Sequence, residues 1–392
     1  MKNQETITAG QLARLFFTFM TGSSIINIPA PLISFAKNDA WMSLLVSAVP
    51  GLLLLSCLLY MNKQYPGLTF IEYSNKAVGK WVTFILAIPF CTALFHMTAS
   101  IVLDVDLFMT SSMMDETPMY VFSIIVMSAA AITVRAGIEA MARMFTIMIV
   151  VTISLIFVIF ILAIPDYRPE QLLPLMPQGI KPMLHGAYFT YGFPFGEVIV
   201  FTMLLKFVRK QDGKVLNKYM YTSLIMNAVV LIISVVCTIM MFGPMAGERK
   251  YSLYQFARII QVVDIIERIE SIIAMALIAG SYMKATITLF ALNLTITQLL
   301  KLKDDRILVL PISVICVLLS LILSEGMARF EETVSSVHPL FITVSYVIPL
   351  LIVMIVSMFR SHKASGQGAG SGSSAESGSN AGSGSSPGSS SG

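Results

Sequence analysis

Two charged residues, Glu197 and Lys284, lie inside long apolar stretches of the sequence. A charged side chain in the interior of a membrane is costly, so such residues tend to pair with one another or to line a functional pathway. Lys284 lies too far from the ends of its stretch for its ammonium group to reach the membrane surface easily. It could pair with Glu197, contact a substrate carboxylate, or occupy a place that a sodium ion would otherwise take. A purely structural ion pair between two helices is the alternative.

Two of the apolar stretches are interrupted near their middles by glycine. The interruptions contain Gly22, Ser23 and Ser24, followed by Pro29, and Gly192, Phe193, Phe195 and Gly196, followed by Glu197. Non-helical backbone at membrane depth leaves amide and carbonyl groups unpaired, which is tolerated only where protein or a wet cavity satisfies them. The N-terminal end of a half-helix favours an anionic group such as a carboxylate. The alternative is that small residues simply allow close helix packing.

The elements that must position these residues are membrane-spanning helices. The chain is 56% hydrophobic and 12% charged, whereas soluble domains are about 25% charged. A span needs about 20 mostly apolar residues. Ten stretches qualify, namely residues 11–35, 42–61, 81–103, 118–134, 144–164, 185–205, 219–242, 271–300, 307–324 and 337–359. The glycine interruptions fall in the first and sixth, which predicts an all-α protein of two inverted five-helix halves with a substrate site at the membrane midplane.

Lysine and arginine residues predict the orientation of the spans. If the N-terminus is inside, the connecting segments that face the cytoplasm hold more lysine and arginine residues than the segments that face outwards, as the positive-inside rule requires. An even number of spans then places both termini in the cytoplasm. The net charge of +4 is spread over these segments, which does not fit a nucleic-acid-binding surface.

The sequence offers no enzymatic or metal-binding pattern. Its four cysteines lie in apolar runs without a pairing motif, and its four histidines are scattered, so neither disulfides nor a zinc site is expected. There is no nucleophile with an adjacent base and no phosphate-binding loop. We therefore expect a protein without catalytic residues, metal or cofactor.

Three segments outside the spans carry further expectations. Residues 251–270 alternate polar and apolar side chains at helical spacing, which predicts an amphipathic helix over the outer face that could act as a lid. Asp104 and Asp106, with Asp115 and Glu116 beyond them, are expected to form a solvated acidic surface. Residues 1–363 are predicted to be one transmembrane domain, and the glycine- and serine-rich residues 364–392 a disordered tail.

The motifs of this sequence resemble those of a known family, the spore germination permeases. These are the B subunits of endospore germinant receptors, and they belong to the amino acid/polyamine/organocation transporter superfamily. The resemblance rests on ITAGQL (7–12), TGSSIINIP (21–29), VRAGIEAMARMF (134–145), FPFGEVIVF (193–201), IERIESI (266–272) and LKDDRILVLP (302–311). It implies the LeuT-like fold of those transporters. It also implies a multi-pass protein of the inner spore membrane that works with receptor A and C subunits and binds a small nutrient germinant. An amino acid is the expected germinant, with a nucleoside or a sugar as the alternatives.

The resemblance also implies roles for individual residues. Those expected to line the germinant pocket are Gly22, Ser23, Ser24, Thr92, Phe95, Gly192, Phe193, Phe195, Gly196, Glu197 and Lys284. Those expected to be structural are Arg135, Gly137, Glu139, Arg143, Glu267, Arg268 and Glu270, with Arg135 and Glu139 close enough in sequence to pair on one helix face. An amino acid transporter that works alone, coupled to a cation or to protons, is the alternative function, since one fold can serve both.

Overall fold

The structure is a computed structural model that describes residues 5–249, 251–259, 269–324, 326 and 332–370, with side chains as far as residue 360. Within these ranges the regular structure is helical, apart from one isolated parallel bridge between Ile7 and Val208. Seven segments of the described chain are long and apolar enough to cross a membrane. The predicted all-α membrane fold is therefore confirmed.

Each of the ten predicted spans coincides with helical structure. The helices are α1 (Ala9–Thr21), α2 (Ser24–Asn27), α3 (Pro29–Ala36), α4 (Ala40–Gln64), α5 (Phe70–Ala77), α6 (Lys80–Ser112), α7 (Met119–Ala136), α8 (Ile138–Leu162), α9 (Ile180–Gly192), α10 (Gly213–Phe242), α11 (Ser252–Ile259), α12 (Glu270–Leu299), α13 (Val309–Ile322), α14 (His338–Ile342) and α15 (Ile348–Gly370). The first span comprises α1 to α3, and the sixth continues from α9 into a 3₁₀ helix at Phe195–Met203.

The first span is broken at Gly22. Thr8 begins α1 with a capping box, in which its hydroxyl accepts from the amide of Gln11, and this satisfies an amide that the first helical turn leaves unpaired. The helix ends at Thr21, and the Gly22 amide donates to the carbonyl of Thr18 at 2.8 Å. A Cβ atom on Gly22 would lie 2.8 Å from the carbonyl oxygen of Gly280 in α12. Glycine is therefore needed because two backbones approach closely here.

The sixth span is broken between Gly192 and Phe195. A Cβ atom on Gly192 would lie within 3 Å of Pro339, and one on Gly196 would lie 2.8 Å from Ile342. Both contacts are with the tenth span. The glycines of this break thus allow the sixth and tenth spans to approach more closely than larger residues would.

The tenth span contains a feature that periodicity did not predict. Two π-helical segments, Thr333–Val337 and Thr343–Val347, flank the short helix α14. Such segments occur mostly as short bulges, frequently at functional sites. They place His338 at the depth of the sixth-span break, because the next residue, Pro339, packs against Gly192.

The connecting segments carry smaller elements. Thr69 begins α5 with a capping box to Glu72, and Glu72 in turn pairs with Lys206 at 3.0 Å. The predicted outer amphipathic helix is described only as far as α11, because residues 260–268 lie outside the described ranges. The backbone of α15 extends to Gly370, and residues 371–392 are likewise outside. The division at residue 363 therefore stays a prediction.

One predicted contact is wrong. Arg135 and Glu139 were expected to share a helix face, but α7 ends at Ala136 and Gly137 adopts a positive φ of 96°. Glu139 consequently belongs to the next helix, where it pairs with Arg143 one turn away. Both residues of this pair are exposed, as expected for a surface ion pair.

Candidate ligand-binding site

A cavity lies between the two broken spans, the third span and the tenth. Its volume is about 100 Å³, several times what one water molecule needs, so it can hold a small solute. Its walls are formed by Ser23, Ile26, Asn27, Ala30, Pro31, Met97, Ser100, Ile101, Asp104, Phe189, Phe193, Glu197, Tyr251, Val334 and His338. The lining is mostly apolar with a few converging polar groups, which is typical of small-molecule sites.

A buried ion pair lies at the cavity, with Glu197 in the wall and Lys284 outside it. The ammonium nitrogen of Lys284 lies 2.6 Å from Oε2 of Glu197, and the two side chains are 0% and 2% exposed. Lys284 comes from the eighth span, while Glu197 follows the break of the sixth. Of the roles open to Lys284, pairing with Glu197 is the one that the structure contains.

The Lys284 ammonium also contacts aromatic rings from both broken spans. It lies 4.1 Å from the ring centre of Phe193 and 5.2 Å from that of Phe19. Both distances are within the range in which a cation is attracted to the face of a ring. The Lys284 ammonium is therefore attracted to aromatic rings on both broken spans. Movement of either span would change the environment of this ammonium group.

Histidine is the second basic group near Glu197. The Nε2 atom of His338 lies 3.6 Å from Oε1 of Glu197, the carboxylate oxygen that Lys284 does not occupy. The ring of His338 stacks on His96 of the third span with centroids 6.3 Å apart, and His96 Nδ1 lies 3.4 Å from the hydroxyl of Ser100. Two basic groups, from the eighth and tenth spans, thus meet at the one carboxylate that the sixth span contributes.

The expected solvated acidic surface is wrong for two of its four residues. Asp104 is 7% exposed and Asp106 is fully buried, while Asp115 and Glu116 are exposed. The side-chain amide of Asn27 donates to Asp104, and the Ser123 hydroxyl donates to Asp106. Burial requires such partners. Helix α6 extends beyond the predicted span end to Ser112, so these carboxylates lie within the bundle.

The predicted pocket residues divide into three groups. Ser23, Phe193 and Glu197 line the cavity, and Lys284 lies directly behind Glu197. Gly22, Gly192 and Gly196 occupy close helix contacts beside it, and Ser24 is buried just after the first break. The third group lies away from the cavity. Phe195 packs on Gly51 of the second span. On α6, Thr92 is exposed and donates to the carbonyl of Ile88, and Phe95 is half-buried. The third span faces the cavity with Met97, Ser100, Ile101 and Asp104 instead.

Sequence reasoning missed Asn27, Asp104 and His338 as lining residues. Asn27 lies in the same motif as Gly22, one helical turn beyond the break, so its position was a usable signal. Asp104 was recognised as a charge at the end of a span, but its burial depends on the length of α6. His338 had no signal, because the π-helical segments beside it are invisible to periodicity.

Of the residues expected to be structural, Arg135, Gly137, Glu139 and Arg143 lie at or near the junction of α7 and α8. A Cβ atom on Gly137 would overlap the carboxylate of Glu5, which accepts the amide of Ile138 at 2.9 Å. Glu270 begins α12, whereas Glu267 and Arg268 lie outside the described residues. Across the described part of the chain, no three His, Cys, Asp or Glu side chains are grouped closely enough to hold a metal ion.

Comparison with known proteins adds family information. A family model described as "Spore germination protein" matches residues 6–327. Spore germination protein KB of Bacillus subtilis (strain 168) is 24% identical over 93% of this chain and 98% of its own length. Spore germination protein YndE of the same organism is 24% identical over 76% of this chain and 82% of its own.

The similar solved structures are transporters. A Na⁺-coupled sialic acid symporter has a TM-score of 0.65 at 11% identity, with 88% of this chain and 81% of that chain covered. The nucleobase-cation symporter MHP1 scores 0.64 at 10% identity, covering 92% and 94%. MhsT in complex with L-phenylalanine scores 0.61 at 14% identity, covering 91% and 100%. At these identities the likeness establishes the fold alone, which is the LeuT-like arrangement with broken first and sixth helices.

Proposed function

Because this chain belongs to the spore germination protein family, we propose that it is the nutrient-sensing membrane subunit of a germinant receptor. A small germinant, an amino acid, binds in the cavity between the two broken spans. Binding favours one conformation of the bundle, and that change passes to the receptor A and C subunits to start germination. The protein resides in the inner spore membrane with both termini in the cytoplasm.

The observation that carries this proposal is the cavity itself. It lies where the first and sixth spans are broken, and Ser23 and Glu197 bring polar groups to it from both breaks. A solute that contacts both halves of a bundle can bind one arrangement of them more tightly than another. It shifts the conformational equilibrium only by that difference in affinity. Sensing requires only this difference in affinity and no covalent reaction.

The walls suit an amino acid in particular. Polar groups from Ser23, Asn27 and His338 can meet its carboxylate and ammonium groups, while Phe189 and Phe193 can pack on an apolar side chain. A protein of the same fold, MhsT, has been solved in complex with L-phenylalanine. These features support small apolar amino acids as the first candidates.

A binding screen tests the proposal. The full chain, purified in lipid nanodiscs with and without its A and C subunits, is titrated with L-alanine, L-valine, L-leucine and L-phenylalanine, with adenosine and glucose as comparison solutes. Saturable binding of at least one amino acid is expected. Binding of only the nucleoside or the sugar would contradict the amino acid assignment, and binding of none would contradict a sensing role.

The transporter fold of the similar structures favours a second candidate function, an autonomous carrier coupled to a cation or to protons. Flux measurements separate the two. Liposomes that contain this chain alone are loaded with buffer and exposed to a radiolabelled amino acid that binds in the screen. A sensor equilibrates the solute slowly or not at all, whereas concentrative uptake driven by a sodium or proton gradient would identify a carrier.

A further inference from the structure

A polar groove lies between the ends of the second and tenth spans, on the side that the positive-inside rule predicts to be cytoplasmic. Its volume is about 440 Å³. Its walls are formed by Gln64, Tyr65, Ser357 and Arg360. These residues fall at the ends of the apolar stretches 42–61 and 337–359, so the groove lies at the depth where lipid headgroups meet the hydrocarbon core. It shares no lining residue with the cavity between the broken spans.

Hydrogen bonds between the spans hold the walls of this groove in place. The Ser357 hydroxyl donates to Oε1 of Gln64 at 2.7 Å and lies 3.0 Å from the hydroxyl of Tyr65. The guanidinium of Arg360 donates to the carbonyl of Lys76 at 3.1 Å, which fixes its position beside α5. This bond uses one of the five N–H donors of the guanidinium.

The two segments that contain the lining residues are strongly basic. Residues 61–80 and 351–360 hold four exposed cationic side chains, Lys63, Lys76, Lys80 and Arg360. Their one carboxylate, Glu72, pairs with Lys206 at 3.0 Å, a cation that lies outside these segments. The region of the groove therefore has a positive charge that attracts an anion.

Apolar side chains beside the groove indicate that this anion carries a hydrocarbon tail. Met358 and Phe359, which precede Arg360 on α15, are 49% and 74% exposed. Trp81, next to Lys80, is 85% exposed. Apolar and aromatic side chains exposed near the ends of spans contact lipid, while neighbouring cationic side chains extend to the headgroups. A molecule with an anionic head and an apolar tail fits both kinds of surface.

We propose that the groove binds the headgroup of an anionic phospholipid, with its phosphate on Arg360 and its acyl chains along Met358 and Phe359. Arginine can hold a phosphate through two parallel hydrogen bonds, and basic pockets between transmembrane helices on the cytoplasmic side bind such headgroups. The bound lipid holds the end of the tenth span against the second span and α5. This proposal does not depend on which solute the cavity between the broken spans binds.

Native mass spectrometry of the full chain in detergent tests the proposal. The delipidated protein is mixed with equal amounts of phosphatidylglycerol, which is anionic, and phosphatidylcholine, which is zwitterionic and has the same acyl chains. We expect phosphatidylglycerol to bind more tightly by at least about fivefold, the effect of one cation near an anionic headgroup. Excess inorganic phosphate should not displace it, because phosphate lacks the acyl chains.

Two variants locate the site. Arg360→Gln should weaken phosphatidylglycerol binding by about fivefold and leave phosphatidylcholine binding unchanged. Arg209→Gln removes an exposed arginine from the same side of the protein and should behave like the unaltered chain.

Equal binding of the two lipids by the unaltered chain would overturn the proposal, and this outcome needs no variant to fold. Equal phosphatidylglycerol affinities for Arg360→Gln and Arg209→Gln would also overturn it. Displacement by inorganic phosphate would overturn it in favour of a soluble anion. Displacement by added receptor A and C subunits would overturn it in favour of a protein occupant. The proposed function stands or falls separately, on the binding screen.

Discussion

Lys284 and Glu197 form an ion pair at 2.6 Å with both side chains buried, across a boundary between the eighth span and the broken sixth span. Because desolvation of two charges is expensive, such a pair adds little net stability, but removing one partner leaves an uncompensated charge. The pair therefore couples the positions of the two spans, because without Lys284 the buried Glu197 carboxylate would keep only His338, at 3.6 Å, as a basic neighbour.

Breaking this pair is expected to destabilise the bundle more than removing both charges. We expect Lys284→Met to lower the free energy of unfolding by about 3–5 kcal/mol, and the double variant Glu197→Gln with Lys284→Met to be more stable than the single one. Unfolding in micelles by added sodium dodecyl sulfate measures this. Glu139→Gln, at the exposed pair with Arg143, is the control and should cost no more than about 0.5 kcal/mol. If the double variant cost the sum of Lys284→Met and Glu197→Gln measured singly, the two charges would not be coupled.

The close contact at the first break predicts a strong effect of one methyl group. A Cβ atom on Gly22 would lie 2.8 Å from the Gly280 carbonyl, so Gly22→Ala should cost about 1–3 kcal/mol through overpacking and should impair ligand binding. Gly10→Ala in the same span meets nothing closer than 3.7 Å and should be neutral or slightly stabilising. The unfolding titration and the amino acid screen measure both effects. If Gly22→Ala matched Gly10→Ala, the break would not depend on this contact.

The junction between the fourth and fifth spans predicts a difference between two glycines of similar backbone geometry. Gly137 and Gly79 have φ angles of 96° and 88° with ψ angles of 169° and 168°, so alanine at either position costs about 1–3 kcal/mol in backbone conformation. A Cβ atom on Gly137 would additionally overlap Glu5, whereas one on Gly79 meets nothing within 4 Å. Gly137→Ala should therefore cost at least about 1 kcal/mol more than Gly79→Ala, because it also displaces the hydrogen bond from Ile138 to Glu5. Equal unfolding free energies for the two variants would contradict a structural role for Glu5.

Asp104 and Asp106 are both buried, but we expect only the side chain that donates to Asp104 to affect ligand binding. Asn27 donates to Asp104, which lines the cavity, while Ser123 donates to Asp106, which does not. Asn27→Ala should weaken amino acid binding by about tenfold, equivalent to about 1.4 kcal/mol, and Ser123→Ala should leave Kd unchanged while costing similar stability. The binding titration measures this. A comparable loss of affinity in Ser123→Ala would mean that the site extends to Asp106.

Much of this architecture could be predicted from the sequence because its physical signals are local. The glycines at Gly22 and Gly192 do mark breaks, although Gly51 and Gly280 lie within unbroken helices, and a charge such as Lys284 in hydrocarbon demands a partner. The burial of Asp104 could not be predicted, because it depends on how far α6 extends and on the neighbouring Asn27. The position of His338 depends on two π-helical segments of five residues each, which are too short to change the apolar periodicity of the stretch. Thr92 and Phe95 lie away from the cavity because the third span turns a different face towards it.

Filling the cavity tests the central claim, that a small solute binds between the two broken spans. Ala30 lines the cavity, so Ala30→Phe should occupy it, and Ala129→Phe places the same ring on an exposed face of the fourth span. Equilibrium binding of radiolabelled L-alanine, L-valine, L-leucine and L-phenylalanine is measured on both variants in nanodiscs, beside the unaltered chain. We expect Ala30→Phe to abolish binding while both variants stay folded and Ala129→Phe binds normally. Undiminished binding by folded Ala30→Phe would contradict it.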